Sequence, residues 1–358
     1  MDLYIMNKQL QALDVIDYAT SVIWTTRYYE AGDFELYVRA DKKTLNLLQE
    51  GNMIYRLDDK CVMIIEKIQL TTDAENGDYI IVSGECVKSI LKRRIVWTQT
   101  SLKGTVLNCL TQLINQNVIN PSITSRKLSN FSIGTLKGTS NTMTKQVTGD
   151  NLYDVVVEIC KTYGLGWEIE FNLDDKQFYF NVFSGVDRSY NNTEDNPRVV
   201  FSEDYDNLIE SNYTFDKSNY ANVGLVAGEG EGLKRKTQTI GTATGWDRYE
   251  VYVDAKDISQ NSDSEDESER ISDADYNLML QERGYEKFTE HEIVESFEGT
   301  VEPYVNYNFN EDYFLGDIVE IQNAYGNTYK ARITEFIETN DENGLTVIPT
   351  FVNESEVE

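Results

Sequence analysis

Short strand-length runs broken by turn residues constrain this chain more than any other feature of its sequence. Up to about residue 95, the β-prone stretches Tyr4–Asn7, Ser21–Tyr29, Asp33–Ala40, Asn52–Leu57, Cys61–Leu70 and Asp78–Glu85 are separated by Gly, Asp and Asn. One interruption, Lys42–Gln49, reads as a turn or two of helix. Repeated short strands of this kind predict a barrel or a sandwich. The side chains agree: 23 Tyr against 4 Pro, with many Val, Ile and Thr, suit half-buried pleated surfaces.

A weak internal repeat narrows the expectation. The run Gly51–Leu57 near one end and the run Gly316–Gln322 near the other each lead into a hairpin. Both hairpins turn on Glu-Asn-Gly, ending at Gly77 and at Gly344. Asn-Gly favours a two-residue turn because both positions tolerate positive φ. Two related β-barrels, one at each end of the chain, are expected.

Between them the periodicity changes. Ser101 precedes Leu102, Val106, Leu107, Leu110, Leu113, Ile114 and Val118, which share one face at helical spacing. Asp150 or Asn151 caps a second helix with the stripe Leu152, Val155, Val156, Ile159, Cys160 and Tyr163, and Gly164 stops it. The strands Gly166–Phe171 and Gln177–Phe183 follow, split by the turn Asn172–Asp175. Further on, Glu210–Asp216, Tyr220–Gly228 and Asp247–Ala255 read as strands, and a helix is expected near 273–290. The acid-rich stretch from Asn261 to Asp275 predicts a mobile loop. The expected fold is therefore β-rich α+β and multidomain. It comprises a barrel over 1–95, an α+β domain over 96–200 and a β-rich domain with one helix over 201–300. A second barrel over 301–358 is completed by strands near 200–230.

Chemistry is hard to find. His291 is the only histidine. It sits in acidic surroundings at the end of the expected helix, and one His without a Cys cluster makes no zinc site. The glycines from Gly224 to Gly232 alternate and lack both the GxxxxGK[ST] and the GxGxxG spacing, so a turn between strands is expected. Asn261, Asp263 and Glu265 imitate a calcium loop, but Asp266 stands where Gly is needed and Ser272 where Glu is needed. With 61 acids, a carboxylate pair for glycoside hydrolysis is always available and no spacing selects one. Cys61, Cys86, Cys109 and Cys160 lie far apart and read as reduced, partly buried thiols. No catalytic, cofactor or metal residue is expected. A net charge of −29 argues against binding nucleic acid through its phosphates. The start of the chain lacks the pattern of a secretory leader, and no apolar run reaches the roughly 18 residues of a membrane span, so no membrane insertion is expected.

Six segments, in order along the chain, carry a family resemblance: Trp24–Leu36, Gly84–Trp97, Asn222–Arg235, Trp246–Asp257, Glu282–Gly284 and Asp312–Glu320. Together they resemble the tail hub proteins of siphophages and prophages, a family similar to the baseplate hubs of contractile phages and to type VI secretion spikes. The resemblance implies a non-catalytic homotrimer of the virion tail, assembled in the bacterial host cytoplasm. Such a trimer sits below the tail tube and distal tail protein, carries tip or receptor-binding proteins, and lets DNA pass without specific binding. Longer relatives append a hydrolase or receptor-binding region. This sequence ends shortly after Pro349, so none is expected here. In that setting Gly32, Gly51, Gly77, Gly316 and Gly344 serve turns or close backbone approach. Tyr28, Tyr29, Phe34, Tyr313 and Phe314 fill barrel interiors or subunit contacts. The competing reading is an acidic carbohydrate-active hydrolase with a β-rich fold.

Overall fold

The computed structural model describes residues 1–72, 77–260, 270–301, 305–323, 325 and 328–353. The first segment builds eight strands and a short helix: β1 (Leu3–Met6), β2 (Ala12–Ile16), β3 (Ser21–Arg27), β4 (Asp33–Arg39), α1 (Lys42–Leu47), β5 (Met53–Tyr55), β6 (Val62–Ile64), β7 (Lys67–Thr71) and β8 (Tyr79–Glu85). In β4 the apolar residues alternate, so Phe34, Leu36 and Val38 all face the core. Asp41 caps α1 by accepting from the amides of Lys43 and Thr44 at 2.7 and 2.8 Å. The strands pair in two sheets, β2-β1-β5-β6 and a meander β3-β4-β8-β7.

The second segment contains β9 (Thr100–Thr105), α2 (Val106–Ile114), β10 (Phe131–Leu136), β11 (Thr142–Val147), α3 (Leu152–Thr162), β12 (Gly166–Asn172) and β13 (Gln177–Phe183). The expected first helix thus starts later than its apolar spacing suggests. Ser101 and Leu102 lie in β9, paired with β11, and the helix begins only after the Thr105 cap. Asn151 caps α3 and Gly164, at φ +63, follows its end, as expected. Core residues of this segment pack continuously with those of the first.

The remainder comprises β14 (Val200–Ser202), β15 (Leu208–Asp216), β16 (Val223–Ala227), β17 (Thr237–Ile240), β18 (Glu250–Asp254), α4 (Asp273–Thr289), β19 (Val294–Val301), β20 (Ile318–Gln322), β21 (Thr328–Asp341) and β22 (Gly344–Asn353). Strands β17-β16-β18 form a small sheet that packs Val226, Ile240 and Val253 against Tyr276 and Leu280 of α4. Apart from β14, which pairs parallel with β20, the other strands repeat the first segment's plan. Their meander runs β15-β19-β22-β21, and β20 flanks β21 as β5 flanks β6. The glycines of the sequence repeat occupy matching places with positive φ: +76 at Gly51 and +94 at Gly316 before the equivalent strands, +84 at Gly77 and +110 at Gly344 in the hairpins. Glu75 and Asn76 of the first hairpin lie outside the described residues.

The expected pair of barrels is not what forms. No sheet among the described residues closes on itself. Closure would require each meander to pair its own first and last strands. Instead β3 of the first meander pairs antiparallel with β21 of the second, joining Val22–Arg27 to Glu335–Asn340. The length of β21, 14 residues, allows this. One of its edges is covered by β22, while the other is shared between β20 and β3. The two ends of the chain therefore belong to a single ten-stranded sheet.

Candidate functional site

The residues singled out for chemistry do not converge. His291 follows α4, and its Nδ1 lies 2.7 Å from the carbonyl oxygen of Asn219, tying the helix end to the segment before β16. The glycine-rich run Gly224–Gly232 enters the β16–β17 connection, a turn between strands as expected. Asn261, Asp263, Glu265 and Asp266 lie outside the described residues. Among the described residues, no group of three or more His, Cys, Asp and Glu side chains is placed to hold a metal ion. Cys86, Cys109 and Cys160 are buried thiols and Cys61 is half-buried.

What does converge is a structural joint. Tyr28, just past β3, is fully buried where the three segments meet. Its hydroxyl donates to the Gly164 carbonyl at 3.1 Å and accepts from the Gly185 amide at 3.3 Å. Its ring meets Phe183 edge-on at 5.5 Å and carries the Arg332 guanidinium 5.5 Å from its centroid. Gly166 and Gly316 leave room for the ring, since a Cβ on either would lie 2.2 Å from it. Burial raises the phenol above its ordinary pKa despite the nearby Arg332, so Tyr28 remains a neutral donor. Of the aromatics expected inside barrels, Phe34 and Tyr313 are buried, Tyr29 is half-buried and Phe314 is exposed.

An ionic lock lies along the same joint. Arg56, which follows β5, reaches Glu338 of β21 at 3.0 Å and Asp58 at 2.8 Å, and stacks 5.5 Å from the Trp24 ring centre. Although burial works against its charge, these carboxylates hold the guanidinium above its usual range. Trp24 Nε1 donates to Asp59 at 2.6 Å. Sequence reasoning missed this lock. Arg56 and Glu338 stand 282 residues apart, and nothing local to either marks the other. Beside the joint opens a cavity of about 810 Å³, bordered by Cys61, Cys86, Lys88, Trp167, Glu168 and Asp317.

The joint also has an unused counterpart. The β21 edge that binds β20 and then β3 corresponds to the edge that β6 and β7 present in the first meander. There β6 binds β5, but the outer edge of β7 has no strand partner among the described residues. The strand equivalent to β3 is β15, and its outer edge is likewise unpaired. Both edges carry exposed apolar side chains: Ile68 and Leu70 on β7 at 37 and 55%, Tyr213 and Phe215 on β15 at 42 and 55%. Exposed strand edges with apolar residues invite pairing with another chain.

A sequence profile of the siphovirus ReqiPepy6 Gp37-like proteins matches residues 2–351. The chain belongs to that family. Its fold is that of prophage tail proteins. A 43 kDa tail protein of prophage MuSo2 from Shewanella oneidensis superposes with a TM-score of 0.63 at 11% identity, over 99% of this chain and 98% of the other. A tail protein from Neisseria meningitidis MC58 gives 0.61 at 13% identity, over 99% and 97%. Prophage tail protein gp18 from Listeria monocytogenes EGD-e gives 0.57 at 12% identity, over 99% and 95%. No curated protein matches the sequence. The Gp37-like chain thus shares the fold of phage tail proteins, in line with the resemblance read from Trp24–Leu36 and the later segments. Those segments lie at structurally decisive places. Trp24–Leu36 supplies β3, Tyr28 and β4, Asp312–Glu320 leads through Gly316 into β20, and Glu282–Gly284 lies within α4.

Proposed function

We propose that this tail protein is the hub of the tail tip. It forms a homotrimeric ring between the tail tube with its distal tail protein above and the tip or receptor-binding proteins below. The observation that carries this reading is the repeated meander with two complementary edges left over. Within one chain, β3 meets β21. The same joint made between chains sets β15 of one copy against β7 of the next. Each copy contributes two similar units, so three copies place six around one ring and adapt a six-fold tube to a three-fold tip. Such contacts are heterologous and close on themselves, and they cover the edge strands. Residues 1–95 and 301–358, the latter completed by β14, β15 and β19, make the ring, while 96–199 and the small sheet β17-β16-β18 with α4 form its outworks. The charge of −29 lets DNA pass without being held. The role is architectural, with no catalytic step.

Cryo-electron microscopy of tail tips, or native mass spectrometry with the distal tail protein present, tests this. Three copies with β7 paired to a neighbour's β15 are expected. Six copies, or a ring that leaves both edges facing solvent, would overturn the proposal.

A further inference from the structure

We propose that Cys61 and Cys86 form an oxidisable dithiol that closes to a disulfide when a small peroxide enters the cavity beside the joint. The backbone places the pair. Met63 bridges Cys86 in antiparallel fashion, so Cys61, two residues before Met63, lies diagonally across on the same side. Both thiols border the cavity of about 810 Å³, which gives a small oxidant a path to them. Cys109 and Cys160 do not border that cavity.

The surroundings divide the labour between the two sulfurs. The Gly32 amide donates to Cys86 Sγ at 3.2 Å. Lys88 is anchored nearby, its Nζ donating to the carbonyls of Arg27 at 2.7 Å and Glu30 at 3.0 Å, with the Trp167 ring centre 4.9 Å away. Burial by itself would raise the Cys86 thiol, but the neighbouring Cys61 thiol and the Lys88 ammonium bring it down to about 7. The neighbouring Cys86 thiol, with burial, pushes Cys61 well above its ordinary value. The Gly32 amide on its sulfur and the nearby Lys88 ammonium favour Cys86 as the attacking thiolate, with Cys61 as the thiol that resolves it. Burial raises Cys160 to about 12 and Cys109 to about 11, which leaves both inert at neutral pH.

In the first step the Cys86 thiolate attacks one oxygen of hydrogen peroxide. The O–O bond breaks, the departing hydroxide takes a proton to become water, and Cys86 is left as a sulfenic acid. Cys61 then loses its proton and attacks the Cys86 sulfur. The S–O bond breaks and the second oxygen leaves as water. Two thiols and one peroxide become one disulfide and two waters. The product staples the turn before β6 to the end of β8. A cytoplasmic thiol pool keeps the pair reduced, and release into an oxidising medium closes it.

Full-length protein is treated at neutral pH with equimolar hydrogen peroxide, unfolded, alkylated and mapped by mass spectrometry. The expected product has lost two hydrogens, with Cys61 and Cys86 joined and Cys109 and Cys160 alkylated. In Cys61→Ser, the Cys86 sulfenic acid persists and dimedone captures it. In Cys86→Ser, oxidation slows by about tenfold or more, because the remaining thiol is protonated. If both cysteines still alkylate after oxidation of the wild type, or if bridges to Cys109 or Cys160 form as readily, the proposal fails. The wild-type map decides this even where a serine variant folds poorly.

Discussion

Replacing Lys145 with Met probes how α4 is held against the second segment. Lys145 on β11 and Glu286 on α4 have side chains only 5 and 2% exposed. Glu158 of α3 lies 3.0 Å from the Lys145 ammonium, and Arg283 lies 3.6 Å from the other Glu286 oxygen. Burial, reinforced by Glu158, pushes the Glu286 carboxyl up to about 8 even though Lys145 opposes it. Burial also works to raise Glu158, yet Lys145 and its other partners hold it below its usual range. One ammonium thus binds a carboxylate and a carboxyl that keeps its proton into neutral pH. Removing it deletes two charge-assisted hydrogen bonds in a buried setting, a loss of about 3–5 kcal/mol at pH 9.

The pH dependence of that loss has a definite sign. Wild-type Glu158 contributes stability above its unfolded pKa, and that contribution disappears as pH falls through its lowered folded value. Without Lys145 the contribution is absent. Wild-type Glu286 has a raised folded value, so the stability linked to it is complete below its unfolded pKa and is lost as pH rises to about 8. In the variant the loss continues to higher pH, at about 1.4 kcal/mol per unit. The deficit should therefore be larger at pH 9 than at pH 5. Urea unfolding at both values, followed by circular dichroism, measures it. The double variant Lys145→Met with Glu286→Leu should recover most of the loss, because an apolar pair replaces a buried ionic one. An equal deficit at both pH values, or a double variant as unstable as the sum of the singles, would refute the reasoning.

Three further outcomes are expected. Gly316→Ala should cost about 2–4 kcal/mol, since its Cβ would meet the Tyr28 ring at 2.2 Å and its φ is +94. Gly344→Ala, with nothing within 4 Å, should cost only the backbone strain, and parallel urea titrations compare the two. Leu70→Lys and Phe215→Lys should fold as wild type by circular dichroism yet fail to join tail tips by native mass spectrometry, because both side chains are exposed on the free edges. Incubation with purified cell walls and a polysaccharide panel should give no turnover. Activity that survives repurification and vanishes on changing one carboxylate would contradict an architectural role.

Much of the local structure was legible because its causes are local. The alternation of Phe34, Leu36 and Val38 marks β4. Asn151 and Gly164 mark both ends of α3, and the turn Asn172–Asp175 marks the β12–β13 hairpin. Where a local signal was ambiguous, pairing decided. Leu102 fits the helical stripe of α2 by spacing, but β11 draws it into a strand. The spacing of Gly51, Gly77, Gly316 and Gly344 was legible as well, and all four take positive φ. The placing of Cys86 opposite Met63 was not, because these residues meet only once β6 and β8 come together.

Sequence by itself determined the strands, the caps and the tight turns at either end, since each depends on side chains within a few residues of one another. Tertiary structure alone decided what those ends do with their edges. A strand's hydrogen-bonding edge is backbone, identical in chemistry for every residue, so no side-chain pattern says whether β3 closes its own barrel or crosses to β21. That choice was made by the length of β21, by Tyr28 wedged against Gly166 and Gly316, and by Arg56 reaching Glu338. The outcome is one continuous sheet in place of two barrels.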